Sequence, residues 1–351
     1  MFSAMYGAAN TANMITMPVT QMYTQRRPAG MRLSLLAGLA RALVVALLGL
    51  AGILAGASSA LATPSPVGYD LSYPQCETAL PPSASFAILG VNGGLANNPN
   101  PCLAQQLTWA AAAPGLQRPA LAGLSFYLNA ADPGNGVADW PSPVAGAATA
   151  ETPYGPCDGS WSRACAFSYA MQRAAYSYAL TVAAATLAVA TVPPVASTVP
   201  PVATTAPPPT ATPLAATTAA PAAAPWWIDV EIGASWAGRS SSREWAQLNV
   251  AALRGYVAGL RAAGARGPVG MYSNAYQWHT ITGLGPRASR AYFPLGEPDW
   301  VTGSSTLAQA RRACAKPFSG SVVTIAQFSE GVYDRDYACP PPPRRARPRR
   351  G

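Results

Sequence analysis

The chain has 351 residues, half of them hydrophobic, and a formal net charge of +9. Four arginines fall before residue 62 and five crowd the tail from Arg344 to Arg350, so the remaining 14 basic residues balance 14 acidic ones. A body with no basic stripe disfavours nucleic-acid binding. A single histidine, His279, disfavours a zinc site of His and Cys or a Ser-His-Asp machine, and no metal or cofactor is expected.

The N-terminus reads as targeting. Met31-Arg32 opens a short basic region ending at Arg41, an apolar run follows from Ala42 to Ala57, and Ala60-Leu61-Ala62 fits a small-x-small cleavage site. The run is short for a membrane span. Residues 1–62 are therefore expected to be a leader and signal peptide, cleaved rather than kept as an anchor, with Met31 a candidate true start. The expected destination is secreted or wall-associated. All six cysteines lie beyond the cleavage site, and an even count in an exported chain argues for disulfides. Six cysteines allow fifteen pairings; proximity in sequence favours Cys76–Cys102, Cys157–Cys165 and Cys314–Cys339.

Strand-like runs appear at Gly68–Leu71, Phe86–Asn92, Leu121–Asn129, Trp226–Glu231, Pro268–Tyr272, Trp300–Thr302 and Ser321–Phe328. Helical patterns lie between them at Cys102–Ala113, Arg163–Ala184, Arg243–Ala263, Ala275–Ile281 and Ser305–Ala315. The clearest helix, Arg243–Ala263, carries Leu248, Ala252, Tyr256 and Leu260 at i+4 steps, with Gly264 beyond its end. From about 182 to 225 the chain is Ala, Thr, Pro and Val without charge, a composition that favours extended chain over a packed core. The six cysteines straddle this stretch, and neither side offers enough elements for its own core. One domain over 63–339 with a disordered inserted loop is expected rather than two domains. Residues 340–351 read as a disordered Pro/Arg tail able to touch an anionic wall or membrane surface. Alternation of strand and helix over this length implies parallel β with right-handed crossovers, and a closed, TIM-like (β/α) barrel of the α/β class suits it.

In such barrels catalytic groups sit at the C-terminal ends of strands. The most informative stretch is Trp226-Trp227-Ile228-Asp229-Val230-Glu231. On a strand its two carboxylates share a face, and two acids side by side raise the pKa of one, leaving a proton donor beside an anion. Glycoside hydrolysis needs such a pair. A solvent-facing strand end is the bland alternative for the same tripeptide. Asp70 ends the first strand, Tyr272 and Gln327 end later ones, and Asp334 and Asp336 follow the last.

Taken together, the G-x-D-x-S opening at Gly68–Ser72, the W-x-D-V-E strand, Gly270-Met271-Tyr272-Ser273 and Gln327-Phe328 followed by D-x-D resemble family-25 glycoside hydrolases. Those are the secreted lysozymes with a (β/α) barrel. The chain is more closely similar to the "glycoside hydrolase-like" domain of exported actinobacterial proteins, a family of unknown function. The resemblance implies Glu231 as general acid, Asp229 assisting it, Asp70 as the first-strand acid, and Asp334 or Asp336 as the late acid. Its implied partner is cell-wall glycan or peptidoglycan, acted on by a monomer. The alternative is a non-catalytic glycan-binding module in which Trp227, Trp236, Trp278 and Tyr272 offer aromatic platforms. A third reading keeps the fold alone, as a structural exported protein.

Overall fold

A computed structural model describes residues 67–112, 123–142, 151–190, 221–238, 243–293 and 297–341. The chain divides into two units, Met1–Leu61 and Ala62–Gly351, and everything described belongs to the second. The expected leader, the greater part of the expected insertion and the arginine tail lie outside the described residues.

Among the described residues ten strands form: β1 (Val67–Leu71), β2 (Ala87–Gly90), β3 (Leu124–Asn129), β4 (Glu151–Thr152), β5 (Gly155–Pro156), β6 (Trp226–Asp229), β7 (Val269–Ser273), β8 (Asp299–Ser304), β9 (Val323–Glu330) and β10 (Tyr333–Ala338). Eight of them close into a barrel in the order β1-β10-β9-β8-β7-β6-β3-β2, while β4 and β5 make a separate two-stranded ribbon. Neighbours from β1 through β9 run parallel. Strands β2, β6 and β7 are buried along their whole length, as parallel strands covered on both faces must be. The crossovers are carried by α1 (Leu103–Ala112), α2 (Arg163–Ala190), α3 (Arg243–Ala263), α4 (Ala275–Thr282), the single turn α5 (Pro286–Ser289) and α6 (Leu307–Ala313).

The expected run of βα units breaks at its end. Strand β10, absent from the sequence reading, pairs antiparallel with both β9 and β1 and closes the barrel without a helix. Glu330 pairs with Tyr333 across a two-residue loop whose first position, Gly331, has φ +81°, the left-handed value such a hairpin demands there. Asp334 and Asp336 therefore stand on a barrel strand, not in a loop after it.

Two helices settle the edges of the low-complexity stretch. Helix α2 runs to Ala190, past the expected end at Ala184, and Ala185 and Ala188 are buried. On the far side, Pro221 O accepts a 2.9 Å hydrogen bond from Trp226 Nε1, and Ala224 is buried. The insertion expected at 182–225 is packed at both borders, and its expected looseness concerns 191–220 alone, outside the described residues. Helix α2 also presses closely on α3. A Cβ at Gly255 or Gly259 would stand 2.3 Å from Phe167 O or Met171 O, so only glycine lets the two backbones approach this far.

The barrel interior is a plug of three large rings, Trp227, Tyr272 and Trp300, packed with Ile88 and flanked by Phe86, Tyr127 and Ile325. Gly90 and Gly270 make room for it, because a Cβ there would sit 2.5 Å from the rings of Tyr127 and Trp227 respectively. The remaining core lies between the barrel wall and the helices. All three expected disulfides form, Cys76–Cys102, Cys157–Cys165 and Cys314–Cys339. Each closes a loop in the unfolded chain and contributes a few kcal/mol, about 2–4 for loops of such lengths.

Candidate active site

Above the aromatic plug, at the C-terminal ends of the parallel strands, polar side chains replace rings. Strand alternation explains the switch: Trp227 and Asp229 share the inner face of β6, Tyr127 and Asn129 that of β3, Trp300 and Thr302 that of β8, and Ile325 and Gln327 that of β9. Along each strand one inward step exchanges an apolar group for a hydrogen-bonding one.

Asp70 is the penultimate residue of β1 and is buried. Its Oδ2 accepts from Gln327 Nε2 at 3.0 Å, and Gln327 Oε1 accepts in turn from Tyr272 Oη at 2.8 Å and Thr302 Oγ1 at 2.6 Å. Burial, then the charge of Asp334, raises the Asp70 carboxyl to about 7, against the lowering effect of the Gln327 bond. Asp334 is paired with Asp70 across β1 and β10, half-buried at the mouth, and accepts from Ser329 Oγ at 2.7 Å. Asp336 lies one pleat deeper, wholly buried, and its Oδ1 accepts from Trp300 Nε1 at 2.7 Å. Its other oxygen has no hydrogen-bond partner among the described residues. Burial and then the charge of Asp70 push Asp336 well above the usual carboxylate range. The sequence left Asp334 and Asp336 as equal candidates for the late acid; Asp334 stands at the mouth and Asp336 supports Asp70 from below.

The D-x-E motif divides between strand and turn. Strand β6 ends at Asp229, so Glu231 is not on the strand as expected but opens the turn beyond it. Asp229 is buried, with Oδ2 accepting from Asn129 Nδ2 at 2.7 Å and no donor reaching Oδ1. Burial first and the charge of Glu231 second push its carboxyl well above the usual range. Glu231 is only half-buried. Gln277 clamps it in place: Nε2 donates to Glu231 Oε1 at 3.2 Å while Oε1 accepts from the Ile232 amide at 2.8 Å. Trp236 Nε1 adds a 2.8 Å bond to Glu231 O, so Trp236 braces the turn. Tyr127 reaches across the barrel toward Asp70, Asp229 and Glu231, whose charges, after burial, keep its hydroxyl protonated. Tyr272 feels the same three acids.

Of the expected platforms, Tyr272 belongs to the buried plug and two tryptophans are core. Trp227 is buried with Nε1 on Ser125 Oγ at 3.3 Å, and Trp278 is fully buried against Phe293 and Phe318. Neither has a free face to offer a sugar. Exposed rings that follow β1 and β7 are Tyr73, on a 3-10 turn, and Tyr276, on the first turn of α4. Sequence reasoning missed Tyr127, Asn129, Thr302 and Gln277. Extending the alternation argument from the D-x-E strand to β3 and β8 finds the first three; Gln277 sits on the first turn of α4 and carries no sequence signal.

The arrangement brings Asp70, Asp229, Glu231, Tyr272, Gln327 and Asp334 to one end of one barrel, with Asp336 beneath. It gathers buried carboxyls whose proton affinity burial raises around a more accessible acid, Glu231, and paired acids of this kind serve general acid catalysis. Compared with protein-family models, with curated proteins and with solved structures, the chain matches none.

Proposed function

We propose that this protein is an exported glycoside hydrolase-like protein with a TIM-like (β/α) barrel of the lysozyme kind, acting on cell-wall polysaccharide as a muramidase-type hydrolase. One observation carries the reading: the five motif acids expected from the resemblance gather at the barrel end where the parallel strands finish, with Asp336 one pleat deeper, and Asp229 and Asp336 each keep a carboxyl oxygen without a hydrogen-bond partner. Glu231 is the general acid, protonating the glycosidic oxygen from the accessible turn. Asp229, held by Asn129 beside it, assists by orienting the substrate. Asp70, fixed through Gln327 and Tyr272, positions the sugar. Three disulfides accord with an oxidising compartment. The glycan-binding alternative loses its main support with Trp227 and Trp278 buried in the core.

The test is incubation of the full chain with purified peptidoglycan, followed by assay of new reducing ends and mass spectrometry of the fragments. Fragments ending in reducing muramic acid support the reading. Retention on the polymer with no new reducing ends would favour the binding module instead.

A further inference from the structure

A cavity of about 720 Å³ opens on the outside of the barrel beside α3 and α4, and none of the mouth acids lines it. Its walls carry Arg163, Arg243, Arg254, His279, Tyr154 and Gln247, and no carboxylate among the described lining residues. The cations are held in place by design of the local chain. Tyr154 stands at the turn between β4 and β5, edge-on to Phe167 with ring centroids 6.0 Å apart. Arg163 and Arg254 both lie over this one ring, at 5.4 and 5.5 Å from its centroid, and Arg254 Nη1 donates to Tyr154 Oη at 2.8 Å. Arg243 is the first residue of α3. Arg163 and Arg243 are exposed and make no ion pair among the described residues. Burial raises Glu297 to about 7 against the lowering charges of Arg261 and Arg254, so its countercharge is incomplete at neutral pH.

Like charges gathered on one aromatic pillar repel unless an anion joins them. We propose that this cavity is a binding site for a phosphate group, carried by a phosphorylated sugar or a phosphodiester polymer. The planar guanidinium fork matches phosphate oxygens two at a time, and several such forks answer a dianion better than a single carboxylate. The volume exceeds what a bare ion fills and leaves room for a sugar or polyol attached to it. The site is independent of turnover at the barrel mouth.

The experiment is isothermal titration of the full chain, at fixed ionic strength, with inorganic phosphate, poly(glycerol phosphate) and acetate. The expected result is saturable phosphate binding with a Kd of about 1 mM or tighter, and acetate at least tenfold weaker. Tighter binding of the polymer identifies a phosphodiester chain as the source; equal binding identifies free phosphate. Arg163→Ala combined with Arg243→Ala removes only exposed side chains and should weaken phosphate at least tenfold. Arg312→Ala, on exposed α6, should leave it unchanged. Phosphate no tighter than acetate, or phosphate binding that survives the double substitution, overturns the proposal.

Discussion

Two buried carboxylates at opposite ends of two barrel strands show what burial alone does not tell. Asp299 begins β8 and Asp229 ends β6; both are inaccessible, and burial raises both carboxyls, Asp299 to about 6. Asp299 Oδ2 accepts from the amides of Phe318 at 2.8 Å and Ser319 at 3.1 Å, and Ser319 Oγ donates to Oδ1. Both oxygens are used, and the group ties a loop to the barrel. Asp229 has one oxygen on Asn129 and one with no donor, and its nearest influence is another acid, Glu231. A buried polar group left unpartnered costs stability, about 1–3 kcal/mol, and a fold carries that cost where another molecule supplies the partner. The difference between the two aspartates lies in what surrounds them, not in how deep they are.

Exchanging the side chains sharpens this contrast. Asp229→Asn should lower hydrolysis by about 10²–10⁴-fold, the range that a displaced acid–base group commands, while leaving the chain as stable as before or more so above pH 7. Asp299→Ala should do the reverse, leaving turnover within about threefold and losing on the order of 3 kcal/mol in urea unfolding, because two amides and a hydroxyl lose their acceptor. Equal loss of stability in the two variants would remove the distinction.

The pH dependence of stability is the next test. Folded Asp70 keeps its proton to about pH 7, whereas its unfolded counterpart releases it near 3.8. Asp229 and Asp336 are shifted in the same direction. Between those values the folded state binds more protons, so stability should fall as pH rises from about 4 to about 7. Asp70→Asn should flatten that fall. A melting temperature that instead climbs through this window would contradict the protonation of the mouth.

The smallest expected effect belongs to Trp227. Trp227→Phe should change polymer affinity by less than about twofold, since the ring is buried under the site; a tenfold loss in a pull-down would put it back among the sugar contacts.

How much of this was legible in the sequence follows from the kind of signal each residue carries. The D-x-E strand stood out as an apolar run ending in two acids, helix α3 because apolar periodicity marks where a helix is buried on one face, and α3 ends where expected, at Ala263. The cysteine pairs were legible because short loops close easily. Strand β10 was not, because Tyr333-Asp334-Arg335-Asp336-Tyr337 puts acids inside and rings outside, the inverse of a half-buried strand. Its barrel interior is a polar site, so hydropathy reads it as loop. Trp227 misled for the opposite reason: an aromatic on an inward face is core or platform according to its depth along the strand, which register fixes and composition does not. The tail of α2 was hidden in alanine-rich sequence, where Ala185 and Ala188 pack by smallness rather than by hydrophobic contrast.

The central claim is that Glu231, on the turn above buried Asp229, delivers the proton that breaks a glycosidic bond. Glu231→Gln keeps the size of the side chain and its contact with Gln277 while removing the transferable proton. Turnover of purified peptidoglycan by this variant, compared with the unaltered chain at matched melting temperature, should fall by about 10²–10⁴-fold. Hydrolysis that persists within about threefold would contradict it.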